Sequence, residues 1–228
     1  MPYFEIKEDE FKLPPAYFAD IDGLVAVGGS MSTQNLLAAY NAGIYYWHHP
    51  LKRIQWWSPD PRTVLYPENF EIEQLAPRVP VQKHELQFNK NFEGVLRLCQ
   101  EHNNLKDGMS PQWLSERMFR IFMELHGMGY AQSVEAWEGD ALKGGIFGLA
   151  IGNIFFGEYL VAANPDMAHE LIRALLKRLR EKKFQLVDMQ KPTVFVPGIE
   201  YEEMARINYV NLCKENERNF ARQEISTL

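Results

Sequence analysis

The feature that most constrains the fold of this sequence is a run of three strand patterns between residues 131 and 161. Residues 131–137, 142–150 and 154–161 are each rich in β-branched, aromatic and other apolar side chains. The intervening Glu138-Gly139-Asp140 and Gly152-Asn153 are turn sequences short enough to join neighbouring antiparallel strands. The pattern therefore predicts a three-stranded antiparallel meander.

A helix and a further strand follow the predicted meander. Asn164-Pro165 is typical of a helix start, because asparagine caps well and proline suits the first helical position. Leucines then repeat on one helical face as far as about Lys182. Residues 184–189 are predicted to form a strand that is buried on both faces. Meander, helix and strand in this order resemble acyltransferases of the GNAT type, an analogy of fold that names no substrate.

The first sixty residues predict a smaller unit. Ser32 can cap a helix, and Gly43 is well placed to end it. Ser58-Pro59-Asp60-Pro61 then interrupts the chain, because two prolines in four residues rarely continue a helix or strand. We therefore predict an α+β fold with a small N-terminal α/β domain at residues 1–61 and a GNAT-like acyltransferase domain at residues 62–228.

Three further helices are predicted in the second part of the chain. Apolar residues repeat at helical spacing over residues 88–99. Ser110-Pro111 is a second helix start, and Gly127 ends the apolar face that follows it. The last helix is predicted near residues 201–213.

Composition limits the classes of function. The chain has 228 residues, of which 46% are hydrophobic and 24% charged, and it lacks the run of about 18 apolar residues that a membrane helix needs. Its N-terminus does not resemble a secretory signal. Two distant cysteines, Cys99 and Cys213, are more typical of buried thiols in the cytoplasm than of a disulfide. With a net charge of −6, RNA would have to bind through a local patch or through one end of the molecule.

The sequence predicts neither a metal site nor a cofactor. Adjacent His48-His49 would point to opposite faces of a strand, and no glycine-rich phosphate-binding motif is present. Coenzyme A enzymes hold pyrophosphate on backbone N–H groups at the start of the helix after the meander. The same place in this sequence, residues 162–166, contains no glycine and ends in an acidic residue. Coenzyme A is therefore not expected there.

Several strings of residues occur together in one order from about Phe11 to Arg206. They are Leu13-Pro14-Pro15, Asp22-Gly23-Leu24-Val25-Ala26-Val27-Gly28-Gly29, Leu36-Leu37-Ala38-Ala39-Tyr40, Trp56-Trp57-Ser58-Pro59-Asp60-Pro61-Arg62, Ser133-Val134-Glu135-Ala136-Trp137, Phe155-Phe156-Gly157-Glu158 and Asp188-Met189-Gln190. This set resembles the leucyl/phenylalanyl-tRNA–protein transferase family. The resemblance implies transfer of leucine, phenylalanine or methionine from the acceptor end of an aminoacyl-tRNA to acceptor proteins with a basic N-terminal residue, which marks them for degradation.

The resemblance also implies three catalytic residues, Asp188, Gln190 and Glu158. Asp188 and Gln190 lie two apart on a predicted strand and would share a face. The carboxylate of Asp188 could then hold the acceptor's ammonium group, and Gln190 could accept a hydrogen bond from the attacking amine. Because an amide is too weak a base, Asp188 or the tRNA must receive the proton. Glu158 is expected to contact the aminoacyl end.

The expected substrate-binding residues are aromatic or apolar. Three tryptophans could stack on the terminal adenine of the tRNA: Trp56, Trp57 and Trp113. Three apolar strand residues could line the pocket for the acyl side chain: Ile146, Phe155 and Phe156. Gly157 would let a ligand approach the backbone.

Two alternative functions stay open at this stage. Gln132, Tyr159 and the residues after Gln190 depart from the usual pattern of the family. These departures favour a binding protein that kept the fold and lost transfer. A second alternative is an acyltransferase that uses another activated acyl donor. In each case we expect a monomeric cytoplasmic protein without membrane partners.

Overall fold

The computed structural model describes residues 4–47, 53–70, 84–106, 114–190 and 199–220. This part of the chain forms five α-helices, a short 3-10 helix and eleven β-strands arranged in two sheets. The α+β class predicted from the sequence is therefore confirmed. None of the helices in these ranges is long and apolar enough to cross a membrane.

The first sheet contains four short strands in the order β1-β2-β4-β3. Their bounds are Phe4–Ile6 for β1, Leu24–Gly28 for β2, Tyr45–Trp47 for β3 and Gln55–Trp57 for β4. The 3-10 helix (Ala16–Phe18) lies between β1 and β2, and helix α1 (Thr33–Asn41) joins β2 to β3. As predicted, the Ser32 hydroxyl caps α1, accepting a hydrogen bond from the backbone N–H of Asn35 at 3.1 Å.

The second sheet has seven strands in the order β11-β5-β10-β9-β8-β7-β6. Their bounds are Arg62–Leu65 for β5, Glu85–Phe88 for β6, Ala131–Glu138 for β7, Ala141–Ile151 for β8, Ile154–Val161 for β9, Leu186–Asp188 for β10 and Glu202–Met204 for β11. Strands β7, β8 and β9 pair antiparallel and confirm the predicted meander. Strand β10 lies parallel to β9 and antiparallel to β5.

Four helices cover the second sheet and the junction with the first. They are α2 (Phe92–Lys106), α3 (Glu116–Gly127), α4 (Pro165–Glu181) and α5 (Arg206–Phe220). One hydrophobic cluster lies between the sheet and α2 and α3 and continues into α1 and the first sheet. A second cluster lies under α4, on the opposite face of the sheet. The side chain of Asn164 caps α4, as the sequence predicts.

The predicted strand at residues 184–189 is shorter in the structure. Only Leu186–Asp188 pairs as a strand. Lys183 and Gln190, on either side of it, adopt left-handed backbone conformations with φ of 59° and 57°. A left-handed residue cannot continue a regular strand. The prediction that Asp188 and Gln190 share one strand face is therefore wrong.

Helices α2 and α5 begin later than predicted. Helix α2 starts at Phe92, because Phe88 ends strand β6. Helix α3 starts at Glu116, where the hydroxyl of Ser115 accepts a hydrogen bond from the N–H of Met118 at 3.3 Å. The predicted start at Ser110-Pro111 lies outside the described residues. Helix α5 starts at Arg206 because the preceding residues form β11.

The predicted boundary after residue 61 falls between the two sheets. Strand β4 ends at Trp57 and β5 begins at Arg62. One hydrophobic cluster nevertheless runs through both parts and includes Trp56 as well as Val64. The division into two domains therefore stays a prediction.

Candidate active site

The candidate site lies where strands β9 and β10 separate. Strand β10 pairs with β9 only as far as Phe156 and ends at Asp188. Strand β9 continues to Val161, paired with β8 on its other side. Residues 157–160 are all partly exposed, and no described strand pairs with their outer edge. The sheet therefore has an opening beside Gly157.

A β-bulge in β9 determines the direction of Glu158. Gly148 of β8 pairs with Gly157 and the neighbouring Phe147 pairs with Tyr159, so Glu158 has no counterpart on β8. A Cβ atom on Gly148 would collide with the carbonyl oxygen of Phe156, so this register depends on glycine. The extra residue of a bulge breaks the alternation of faces.

As a consequence of the bulge, Glu158 and Tyr159 both face the helices on one side of the sheet. Glu158 accepts a hydrogen bond from the hydroxyl of Tyr40 on α1. Tyr159 contacts α2, with its hydroxyl 3.2 Å from Nδ1 of His102. A regular strand would have pointed these neighbours to opposite faces.

Gln190 is the second partner of Glu158. Its left-handed backbone, directly after β10, turns the amide back toward β9. Nε2 donates to Oε1 of Glu158 at 3.1 Å and to the carbonyl oxygen of Gly157 at 3.3 Å. The amide of Gln190 therefore bridges the end of β10 and the bulge of β9.

The carboxyl group of Glu158 titrates near neutrality. Burial raises its pKa to about 7, and the negative charge of Asp188 acts in the same direction. Hydrogen bonds from Tyr40 and Gln190, together with the charge of Arg62, lower the pKa and only partly offset these effects. A carboxylate with a pKa near 7 can take up and release protons at physiological pH, which is typical of a functional site.

Asp188 is fully buried beneath the opening. Its two oxygens accept hydrogen bonds from Nε and Nη2 of Arg62, both at 2.7 Å, and from the hydroxyl of Tyr209 at 2.6 Å. Oδ1 also accepts the backbone N–H of Gln190 at 2.8 Å. Asp188 therefore orients Gln190 through the backbone, and its carboxylate is occupied by donors from the protein.

Arg62 is buried together with Asp188 and is stacked between two aromatic rings. Its guanidinium carbon lies 4.8 Å from the ring centre of Tyr45 and 4.5 Å from that of Tyr209. Burial is the largest single effect and acts to lower the pKa of Arg62. The charge of Asp188, its hydrogen bonds to Arg62 and the nearby tyrosines together outweigh burial, so the pKa is raised. This pair connects β5, β10 and α5 beneath the opening.

The predicted tryptophans occupy different environments. Trp56 is fully buried; its Nε1 donates to the carbonyl oxygen of Gly28 at 2.9 Å, and its ring packs on Phe11. Trp57 is partly exposed, and Trp113 lies outside the described residues. Trp47, at the end of β3, is 46% exposed and was not selected from the sequence. Only its exposure, which a sequence does not show, distinguishes it from a core residue.

The residues predicted to wall the acyl side chain do not lie on one face. Ile146 and Phe155 belong to the cluster under α4, whereas Phe156 belongs to the opposite cluster and packs edge-on against Tyr40 at 4.8 Å. Phe155 and Phe156 are neighbours in a strand, so their side chains alternate. Gly157 lies at the opening, where an added Cβ would meet only ordinary contacts, the nearest at 3.4 Å.

Among the described residues, no group of three or more His, Cys, Asp or Glu side chains is arranged to hold a metal ion. Glu158, Gln190 and Asp188 are instead hydrogen-bonded to other polar groups of the protein. The arrangement offers one carboxyl group with a pKa near 7, that of Glu158, and one oriented side-chain amide, that of Gln190, beside an apolar strand face.

Comparison with known proteins supports the family resemblance that the sequence strings indicate. Residues 64–214 match the family described as leucyl/phenylalanyl-tRNA protein transferase, and residues 29–60 match its N-terminal domain. A leucyl/phenylalanyl-tRNA–protein transferase of Syntrophobacter fumaroxidans is 37% identical over 218 residues, 95% of this chain and 92% of that protein. Proteins of the same name from Ectopseudomonas mendocina and Pseudomonas aeruginosa are each 37% identical over 191 residues, covering 82% of this chain and 83% of theirs.

A solved structure of a functionally unknown conserved protein from Staphylococcus epidermidis is also similar, with a TM-score of 0.42 and 8% identity. The similarity covers 80% of this chain and 68% of that one, and at this TM-score it carries no argument. The sequence relatives, in contrast, are well above 30% identical over most of both chains. On these matches, the chain belongs to the leucyl/phenylalanyl-tRNA–protein transferase family.

Proposed function

We propose that this protein transfers leucine, phenylalanine or methionine from an aminoacyl-tRNA to the N-terminal amino group of an acceptor protein. The observation that carries the proposal is the meeting of Glu158 and Gln190 at the opening between β9 and β10. The names of the relatives support the same activity. Acceptors with a basic N-terminal residue, and degradation of the product, complete the proposal on the strength of the family alone.

The reaction is aminolysis of an ester that is already activated. The acceptor's amine attacks the carbonyl carbon, a C–N bond forms, and the bond to the ribose 3′ oxygen breaks as that oxygen takes a proton. A protein α-amino group has a pKa of about 8, so most molecules must first lose a proton. The site therefore needs positioning and a proton acceptor more than it needs a strong nucleophile.

In this proposal, Glu158 receives the proton from the attacking amine. Its pKa of about 7 lies close to that of the amine, so the transfer is nearly balanced in free energy. The amide nitrogen of Gln190 is bound to Glu158 and to the carbonyl of Gly157. The amide oxygen is then the atom that can accept a hydrogen bond from the amine and orient it.

Asp188 has a positioning role in the proposed mechanism. Protein groups donate four hydrogen bonds to its carboxylate, so it holds the Gln190 backbone in place and does not bind the acceptor's ammonium. This role differs from the one expected from the sequence, in which Asp188 holds the ammonium group. The two roles differ because Arg62 already donates hydrogen bonds to both oxygens of the Asp188 carboxylate.

The acyl side chain is proposed to lie on the α4 side of the opening. Ile146 and Phe155 belong to the apolar cluster on that side, and Leu160 packs against it from the free part of β9. For the terminal adenine, the exposed Trp47 and the partly exposed Trp57 are better placed to stack than the buried Trp56.

We also propose that the second part of the chain is GNAT-like. The support is the order of its elements: an antiparallel meander, helix α4, and a strand β10 that lies parallel to β9 and separates from it at the site.

A monomer in the cytoplasm is the proposed working form, and sedimentation of the purified protein measures its mass directly.

A transfer assay tests the proposed function. The purified protein is incubated with labelled Leu-, Phe- or Met-tRNA and a peptide that begins with arginine; an acetylated copy of the peptide is the control. Label is expected to appear on the free peptide and not on the acetylated one. Tight binding of aminoacyl-tRNA without any labelled peptide would overturn the proposal in favour of a binding protein that kept only the fold.

A further inference from the structure

A methionine lies at the opening between β9 and β10, and the proposed chemistry does not use it. Met189 stands between Asp188 and Gln190, is partly exposed, and packs against the apolar cluster under α4. Asp188 is bonded to Tyr209 of the other hydrophobic cluster, so Met189 and Asp188 point to opposite sides of the sheet. Met189 therefore lies on the same side of the sheet as Phe155 and Ile146.

Met189 reaches across the opening from the end of β10 to β9. A Cβ atom built on Gly157 would lie 3.8 Å from Sδ of Met189, and the nearest other atom would be the carbonyl oxygen of Asp188. On β9, Leu160 is also partly exposed and packs against the same hydrophobic cluster as Met189. The apolar side of the opening is therefore bordered by Leu160 on one strand and by Met189 on the other.

Position and chemistry together suit Met189 to an acyl-binding wall. Its backbone neighbour Gln190 carries the amide that contacts Glu158 at the opening. An acyl group whose ester carbon lies at the opening and whose side chain is directed to the α4 side therefore meets Met189. Methionine is unbranched, flexible and polarisable, and it adapts its shape to irregular apolar partners. An apolar slot discriminates side chains mainly by their volume.

We propose that Met189 forms the adjustable wall of the acyl pocket and sets the relative use of Leu-tRNA and Phe-tRNA. This inference rests on the proposed transferase function and names a determinant of its substrate specificity. A smaller residue at position 189 enlarges the slot and favours phenylalanine, whereas a larger, rigid residue shortens the slot and favours leucine.

Competition between labelled Leu-tRNA and Phe-tRNA for one arginine peptide tests this inference. In Met189→Ala, the ratio of kcat/KM for Phe-tRNA to that for Leu-tRNA is expected to rise about tenfold or more. In Met189→Phe, the same ratio is expected to fall by a similar factor. Met189→Leu conserves volume and is expected to stay close to the wild-type ratio.

The matched control is Met123→Ala, which removes a partly buried methionine of α3 that packs against the other hydrophobic cluster. Its ratio is expected to equal that of the wild type. If Met189→Ala does not fold, Met189→Phe decides the question, with Met189→Leu as its volume-matched reference. An unchanged ratio in the folded Met189→Ala and Met189→Phe proteins would overturn the inference while the wild-type protein still transfers. A wild-type protein that transfers nothing would instead overturn the proposed function, and this inference with it.

Discussion

At the scale of single residues, the site combines a fixed ion pair with a titrating carboxyl group. Arg62 and Asp188 are fully buried and bonded twice to each other, whereas Glu158 is partly exposed with a pKa of about 7. The sequence predicted Asp188, Gln190 and Glu158 from short strings. It did not predict that Arg62 pairs with Asp188 or that Tyr40 pairs with Glu158. The two pairs are separated by 126 and 118 residues in the chain, and no local pattern links their members.

The buried ion pair predicts a loss of stability on substitution. Asp188→Ala leaves Arg62 buried without the carboxylate that neutralises it, so the free energy of unfolding is expected to fall by about 3–5 kcal/mol. Urea unfolding measures the change. Glu5→Ala is the matched control, since it removes the exposed Arg53–Glu5 pair and is expected to cost less than about 1 kcal/mol. An Asp188→Ala protein as stable as the control variant would contradict this assignment.

The raised pKa of Glu158 predicts how stability depends on pH. Its ordinary value is 4.5 and its value in the fold is about 7. Between these values the folded state keeps a proton that the unfolded state has released, so this group's contribution to stability falls as pH rises. Glu158→Gln removes that loss. Unfolding at pH about 5 and 8 should show the variant gaining stability relative to the wild type at the higher pH; an equal difference at both pH values would refute the shifted pKa.

The same group predicts the pH dependence of transfer. As the base, Glu158 must be ionised, so kcat/KM is expected to rise through pH 7. Glu158→Gln should be slower and should lack this rise. A wild-type profile that is flat from pH 6 to 8 would show that another group accepts the proton.

At the scale of elements, long patterns were predictable and short irregular ones were not. The bounds of β9 agree with the prediction at residues 154–161, because eight residues of strand carry a clear apolar signal. Strands β1, β6 and β11 were missed, since they have only three or four residues each. The bulge at Glu158 was missed as well, although the glycine before it is the type of residue that often marks one.

The bulge predicts a strict requirement for glycine on the neighbouring strand. A Cβ atom at Gly148 would collide with the Phe156 backbone and also lie 2.7 Å from the ring of Phe155. Gly148→Ala is therefore expected to shift β9, turn Glu158 away from Gln190, and lower transfer by about tenfold or more. Gly127→Ala is the control, because a Cβ atom there meets nothing within 4 Å. Wild-type transfer by Gly148→Ala would show that the register of the bulge is not required.

At the scale of the whole molecule, the site depends on both sheets. Tyr40 follows the first strands, whereas Glu158 and Gln190 belong to the second sheet, and one hydrophobic cluster joins the two parts. The meander, helix and strand were enough to predict the α+β class. The shared core was not predictable, because apolar periodicity shows that a face is buried without showing what it packs against.

The overall charge predicts weak salt dependence of tRNA binding. A net charge of −6 opposes contact with many phosphates, so the slope of log affinity against log salt should correspond to about two to four contacts. Titrations of Leu-tRNA between about 50 and 200 mM salt measure it. A slope typical of a broadly basic protein, or equal affinity for an unrelated folded RNA, would contradict binding through the acceptor end.

The most direct test of the central claim, that transfer occurs where Gln190 meets Glu158, is the single-turnover rate of the Gln190→Ala protein. The rate of leucine transfer from Leu-tRNA to an arginine peptide is predicted to fall by about tenfold or more, with an unchanged urea unfolding midpoint. Gln185→Ala, at an exposed glutamine just before β10, is the matched control and should transfer at the wild-type rate. A folded Gln190→Ala protein that also transfers at the wild-type rate would contradict the account.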